Sequence, residues 1–166
     1  MELTFAPRGI LQINDARIIY KNFRGEAGPY NKAGDRDFTL VIPNMEIAEQ
    51  LQNDKNRDGV GWNVRIKAPR TPEEEPFITL KVKVKFNDRG PRVFLESNGV
   101  KRKLTEDTVE MLDFIDIASV DLDIRPYDSE RNGEFYRTAY LDAIWVTQNV
   151  DRFSARFAEE ESPEED

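Results

Sequence analysis

The stretch FITLKVKVKF, residues 77–86, alternates apolar and polar residues almost without a break. A helix would scatter such a pattern around its circumference, whereas a strand sends successive side chains to opposite faces. Ile78, Leu80, Val82, Val84 and Phe86 therefore belong to a core face, and Thr79, Lys81, Lys83 and Lys85 to a solvent face. At about 3.3 Å per residue, the lysines follow one another every ~7 Å. VGWNVRIKAP, residues 60–69, repeats the design, with Trp62, Val64, Ile66 and Ala68 inward and Asn63, Arg65 and Lys67 outward. If the two strands pair, five cations share one sheet face with no acid between them. One-sided strands of this kind build a mostly β fold over an apolar layer.

The rest of the chain supports that class. ILQINDARIIYKNF (10–23) reads as a long first strand, bulged near Asn14-Asp15, and DFTLVIP (37–43) as a second. RVFLES (92–97) follows the turn NDRGP. IASVDLDIRPY (117–127) and EFYRTAYLDAIWV (134–146) form a last hairpin around Asn132-Gly133, the strongest turn signal present. Two short helices are expected, MEIAEQLQ capped by Asn44 and a second opening at Thr105. About seven strands with two helices fit a closed barrel or a sandwich.

The chain has 166 residues, which suits one domain (1–150) followed by a tail (151–166). There is no cysteine and no histidine. Disulfides, thiolate or imidazole metal sites and the familiar hydrolytic triads are thereby excluded. No cofactor is expected. Nothing resembles a signal peptide or a membrane span, so the expected location is the cytoplasm. The formal charge of −8 is unevenly distributed. AEEESPEED (158–166) carries six carboxylates; without it the body holds 24 basic and 26 acidic side chains. That composition predicts a flexible acidic tail, able to compete for a cationic groove. Just before it, Phe153 and Phe157 stand four residues apart, a spacing suited to docking a short helix or anchoring a partner.

Between the first two strands lies FRGEAGPYNKAGDRDF (23–38), a glycine-rich loop carrying Arg24, Tyr30, Lys32 and Arg36. It lacks phosphate-loop spacing and no helix start follows it, which argues against nucleoside triphosphate binding. A basic loop beside a lysine-bearing sheet instead suits a flexible polyanion, with phosphates on the cations and bases stacked on exposed rings. Phe23, Tyr30, Tyr127 and Tyr136 are the stacking candidates, Tyr30 first. Trp62 and Trp145 fall in the apolar phase of their strands, where core packing is the simpler role. Asp121 and Asp123 share a strand face, with Asp142 expected opposite. Such carboxylates could hold Mg²⁺ for phosphodiester cleavage, or simply pair with Arg125, Arg137 or the lysine face.

The stretch YKNFRGEAGPYNKAGDRDFTLVIP, followed by GWNVRIKAP and LKVKVKF, resembles phage-type single-stranded DNA-binding proteins with an OB-fold. The resemblance implies a five-stranded barrel elaborated by an extra hairpin and two short helices. It also implies a non-enzymatic protein that binds single-stranded DNA without sequence preference in phage DNA replication or recombination, in the host cytoplasm. The groove would consist of Arg65, Lys67, Lys81, Lys83 and Lys85, with Tyr30 and its cationic neighbours Arg24, Lys32 and Arg36 as a flap. Replication or recombination proteins would be further partners through the tail, the chain acting as monomer or homodimer. The family's bacterial relatives end in a hydrophobic residue, whereas this chain ends in Glu-Glu-Asp. The rival reading is a β-sandwich assembly component of a virion.

Overall fold

The computed structural model describes residues 1–150. The expectations for Phe153, Phe157 and the acidic tail lie outside the described residues. The described strands are β1 (Glu2–Phe5), β2 (Leu11–Asn14), β3 (Arg17–Asn22), β4 (Arg36–Ile42), β5 (Arg65–Lys67), β6 (Phe77–Val84), β7 (Arg92–Ser97), β8 (Val100–Leu104), β9 (Ile117–Arg131) and β10 (Glu134–Gln148). Among the described residues one α-helix, α1 (Met45–Asn53), lies between β4 and β5. The fold is mostly β.

The strands form one ten-stranded sheet with the path β1-β2-β9-β10-β6-β4-β3. All neighbours are antiparallel except β10, which runs parallel to β6 and to β7. This hydrogen-bonded path is open, which corrects the expected closed barrel of about five strands. The expected long first strand is interrupted at Asp15, whose φ is 54°, so β2 pairs with β9 while β3 pairs with β4. A second correction concerns the helices. Around Thr105 the chain forms only a 3-10 turn, Val109–Asp113, entered from Thr108. The Leu112 carbonyl within it and the Ile115 carbonyl just after it accept from the Lys21 ammonium at 2.8 and 3.1 Å.

Alternation decides the interior. Ile78, Leu80, Val82 and Val84 of β6 are buried, as are Phe38, Leu40 and Ile42 of β4, its antiparallel neighbour. Phe23 stacks on Phe38 with ring centroids 5.4 Å apart, a contact contributing about 0.5–1.5 kcal/mol beyond its buried area. The expected stacking role for Phe23 is therefore replaced by a core role.

The strand expected over 60–69 shrinks to three residues. β10 occupies the β6 edge at Val82 and Lys83, so β5 retains only the part next to Phe77–Thr79. Ile66, expected inward, is 41% exposed, and Ala68 is exposed too. Trp62 stays in the core, its indole N–H donating to Asp54 at 2.9 Å. Gly61 permits this approach, because a Cβ there would lie 2.1 Å from the Gln52 carbonyl oxygen. Asn44 caps α1 as expected, its side chain accepting from the Ile47 N–H at 2.9 Å. Asn132 and Gly133 turn the β9–β10 hairpin with φ of 52° and 81°.

Candidate nucleic-acid interface

The loop after β3 is braced from within. The Asp113 carboxylate accepts from the backbone N–H of Phe23 at 2.8 Å and of Arg24 at 2.9 Å. The Arg36 guanidinium donates to the Phe23 carbonyl at 2.8 Å, which fastens the two ends of the loop together. Gly25 and Gly34 lie back to back: Gly34 N–H donates to the Gly25 carbonyl at 2.8 Å. A Cβ on Gly25 would meet the Gly34 backbone at 3.0 Å. Within the loop, the Asn31 side chain donates to the carbonyls of Glu26, Lys32 and Asp35. The outcome is Tyr30 at the tip, 98% exposed, and therefore not folded back onto its own loop.

This loop forms one wall of a hollow of about 920 Å³ whose floor is the end of β6. Tyr30, Lys32 and Arg36 meet Lys81, Lys83, Lys85 and Phe86 there, and Tyr140 closes the far side. Two smaller hollows, about 190 and 320 Å³, continue across the sheet. The first adds Asn63 and Arg65; the second adds Ser129, Arg131 and Tyr136 from the β9–β10 hairpin. Lys83 lines all three. Shared lining residues, Lys83 above all, make the three hollows neighbours in a groove-like row across the strands.

The sites expected from sequence are not equivalent within it. Lys32, Arg65, Lys83 and Lys85 line the groove and form no ion pair among the described residues. Lys81 sits 3.6 Å from the Asp37 carboxylate. That acid stands opposite Lys83 on β4, so the cationic face does contain an acid, contrary to the expectation that none interrupts it. Arg36 lines the groove but is engaged structurally, 3.3 Å from Glu106 and over the Phe86 ring at 5.5 Å. Arg24 lies elsewhere, paired with Glu26 and over Phe114 at 5.2 Å. Lys67 is exposed on β5, opposite Phe77 and outside the three hollows.

Tyr140, Arg125 and Arg131 were missed by the sequence reading. The hairpin register places Arg125 opposite Tyr140, Tyr127 opposite Thr138 and Ser129 opposite Tyr136. The Arg125 guanidinium lies 5.1 Å from the Tyr140 ring centre, and Tyr127 meets Tyr140 edge-on at 5.9 Å. Because Tyr140 is also the cross-strand neighbour of Lys83, this aromatic and basic surface joins the lysine row directly. The signal available in sequence was the alternation of Tyr136, Thr138 and Tyr140. Recognising it required knowing that β10 lies beside β6. Arg137, on the opposite phase, is buried against Trp62 and Asp128 and positions the hairpin.

The carboxylates considered for metal chemistry have other partners. Asp121 accepts the Asp15 N–H at 2.8 Å, and Asp142 lies 4.0 Å from Arg92. Partial burial, helped by the Asp142 charge and opposed by Arg92, raises the Asp123 carboxyl above its ordinary range. Among the described residues no group of three or more acidic, histidine or cysteine side chains is placed to hold a metal ion. Trp145 is a further correction. A bulge between Leu141 and Ala143 shifts the strand phase, so Ile144 and Val146 face the core. Trp145 turns outward against Phe94, beneath Lys101.

Fold and groove together define a β-sheet protein with a basic, tyrosine-walled surface of the nucleic-acid-binding kind. The chain belongs to the family described as "Putative phage ssDNA-binding domain", whose model matches residues 3–166. Its fold is similar to that of the single-stranded DNA-binding protein from bacteriophage Enc34, solved in several forms. The form in complex with ssDNA has a TM-score of 0.56 at 15% identity, covering 91% of this chain and 93% of that one. A C-terminal truncation gives 0.54 at 17% identity, covering 90% and 91%. A third structure gives 0.51 at 18% identity, covering 94% and 99%. No curated protein sequence matches significantly. Among the described residues no helix is long and apolar enough to cross a membrane.

Proposed function

We propose that this protein binds single-stranded DNA without sequence preference, in the groove between the Tyr30 loop and the β9–β10 hairpin. One observation carries the reading: four separate segments, the Tyr30 loop, β5, the end of β6 and the β9–β10 hairpin, bring Lys32, Arg65, Lys83, Lys85 and Arg131 together with Tyr30, Tyr136 and Tyr140 along one surface. Cations spaced along a strand hold phosphates, and rings on either side accept bases of any identity. The reading assigns no catalytic step and no cofactor. It places the protein in phage DNA replication or recombination, within the host cytoplasm, as monomer or homodimer.

The fold belongs with OB-like sheets on this reading. Supporting it are the β3-β4-β6-β10-β9-β2 order, the parallel β6–β10 pair, and the two-residue break that separates β2 from β3. Residues 1–150 form the binding domain, and 151–166 act as an acidic tail that competes for the groove and recruits replication or recombination proteins.

The test is fluorescence anisotropy of a labelled 30-mer, single-stranded beside double-stranded, at two salt concentrations. Five phosphate contacts predict a slope of log K against log salt of about −3.5, at roughly −0.7 per phosphate. Preference for the single strand with that slope supports the reading. Absence of binding at low salt overturns it.

A further inference from the structure

Phe77 opens β6 on the same face as the lysines. Ile78, Leu80, Val82 and Val84 are buried, so the intervening positions, Phe77, Thr79, Lys81 and Lys83, share the outer side. Phe77 is 41% exposed there. Its cross-strand partner is Lys67, and Arg65 stands opposite Thr79 in the next outward pair. Among the described residues no other ring stacks on Phe77 and no cation covers its face. The end of β6 away from the Tyr30 loop therefore presents a bare ring beside a cation that forms no ion pair among the described residues.

We propose that Phe77 and Lys67 form an additional nucleotide subsite, in which a base stacks on the ring and its phosphate meets the ammonium. The proposal rests on the single-stranded DNA reading and extends it. The groove crosses the strands near Lys83, whereas this subsite lies along β6, about 20 Å from Lys83 at roughly 3.3 Å per residue. Arg65 and Lys81 fill the interval. Ahead of Pro76 and Phe77 the chain carries Glu73, Glu74 and Glu75, all exposed. Three adjacent carboxylates repel a phosphate backbone, so they set the outer limit of the track at Phe77. A single strand that leaves the groove at Lys83 and follows β6 would thus reach Phe77 and no further in that direction.

The experiment is a length series of labelled oligothymidylates, from 4 to about 20 nucleotides, titrated against the full chain and three variants. For oligomers long enough to reach the subsite, Phe77→Ala should weaken binding roughly tenfold, as expected for losing one stacked base. The loss should vanish for the shortest oligomers, and the length at which affinity levels off should shorten. Lys67→Ala should flatten the salt slope by about 0.7 for long oligomers only. Phe77→Trp should retain affinity, and its added fluorescence should be quenched on binding. Equal affinity of Phe77→Ala and the parent chain at every length overturns the subsite, as does an equal loss at every length, which is a structural effect. Failure of the parent chain to bind any oligomer instead overturns the underlying DNA reading.

Discussion

Reversing the charge of Lys83 tests the groove at its centre, since this side chain lines all three hollows and is exposed. A phosphate about 4 Å from an ammonium in water-like surroundings contributes about 1 kcal/mol. Lys83→Ala removes that attraction, roughly a fivefold loss at 1.4 kcal/mol per factor of ten. Lys83→Glu replaces it with repulsion of similar size, so the loss rises to about 2 kcal/mol, or roughly 30-fold. The new carboxylate would also stand directly opposite Asp37. Like charges so placed cost up to about 1 kcal/mol of stability, so Tm is measured alongside. The assay is anisotropy of a labelled single-stranded 30-mer over a salt series. Five groove cations that form no ion pair among the described residues, Lys32, Arg65, Lys83, Lys85 and Arg131, predict a slope of about −3.5 for the parent chain. Lys83→Ala should bring it to about −2.8. A Lys83→Glu protein that keeps its Tm and binds with parental affinity and slope would refute the placement of DNA in this groove.

Three further outcomes are expected. Asp113→Ala removes the acceptor of two loop N–H groups; it should cost about 2 kcal/mol and lower Tm by roughly 4–8 °C, and an unchanged melting curve would dismiss the clamp. Asp123 has a raised folded-state pKa, so its destabilising effect is absent at acid pH and develops as pH rises through the unfolded and then the folded value. Asp123→Asn should therefore stabilise the protein at pH 7 but not near pH 3, and denaturant titrations showing the same difference at both pH values would contradict this. Deleting 158–166 should strengthen DNA binding, most at low salt, where screening extends ~30 Å at 0.01 M against ~8 Å at 0.15 M; equal affinity at all salts would remove the tail as a competitor.

Much of the interior was legible from alternation, because a strand's two faces follow from its backbone geometry whatever lies beside it. The burial of Ile78, Leu80, Val82 and Val84, the exposure of Lys81, Lys83 and Lys85, and the Asn132-Gly133 turn all follow from local residues. Local pattern failed where the backbone departs from regularity. The bulge at Leu141/Ala143 moved Trp145 from the apolar phase to the outer face. Phe23, read as a stacking candidate where the first strand meets the loop, is drawn into the core by Phe38 and held there by Asp113, 90 residues away.

What the chain alone determined, then, is which side chains a regular strand such as β6 turns to water and which turns it can make. The tertiary structure decided which strands are neighbours, and that choice assembled the groove. With β10 on the β6 edge, Tyr140 stands beside Lys83 and β5 is confined to three residues. With β4 on the other edge, Asp37 enters the lysine face and the Tyr30 loop rises over it. Neighbour choice rests on the burial of all these strands in one apolar layer, a collective property that no single period-two stretch contains.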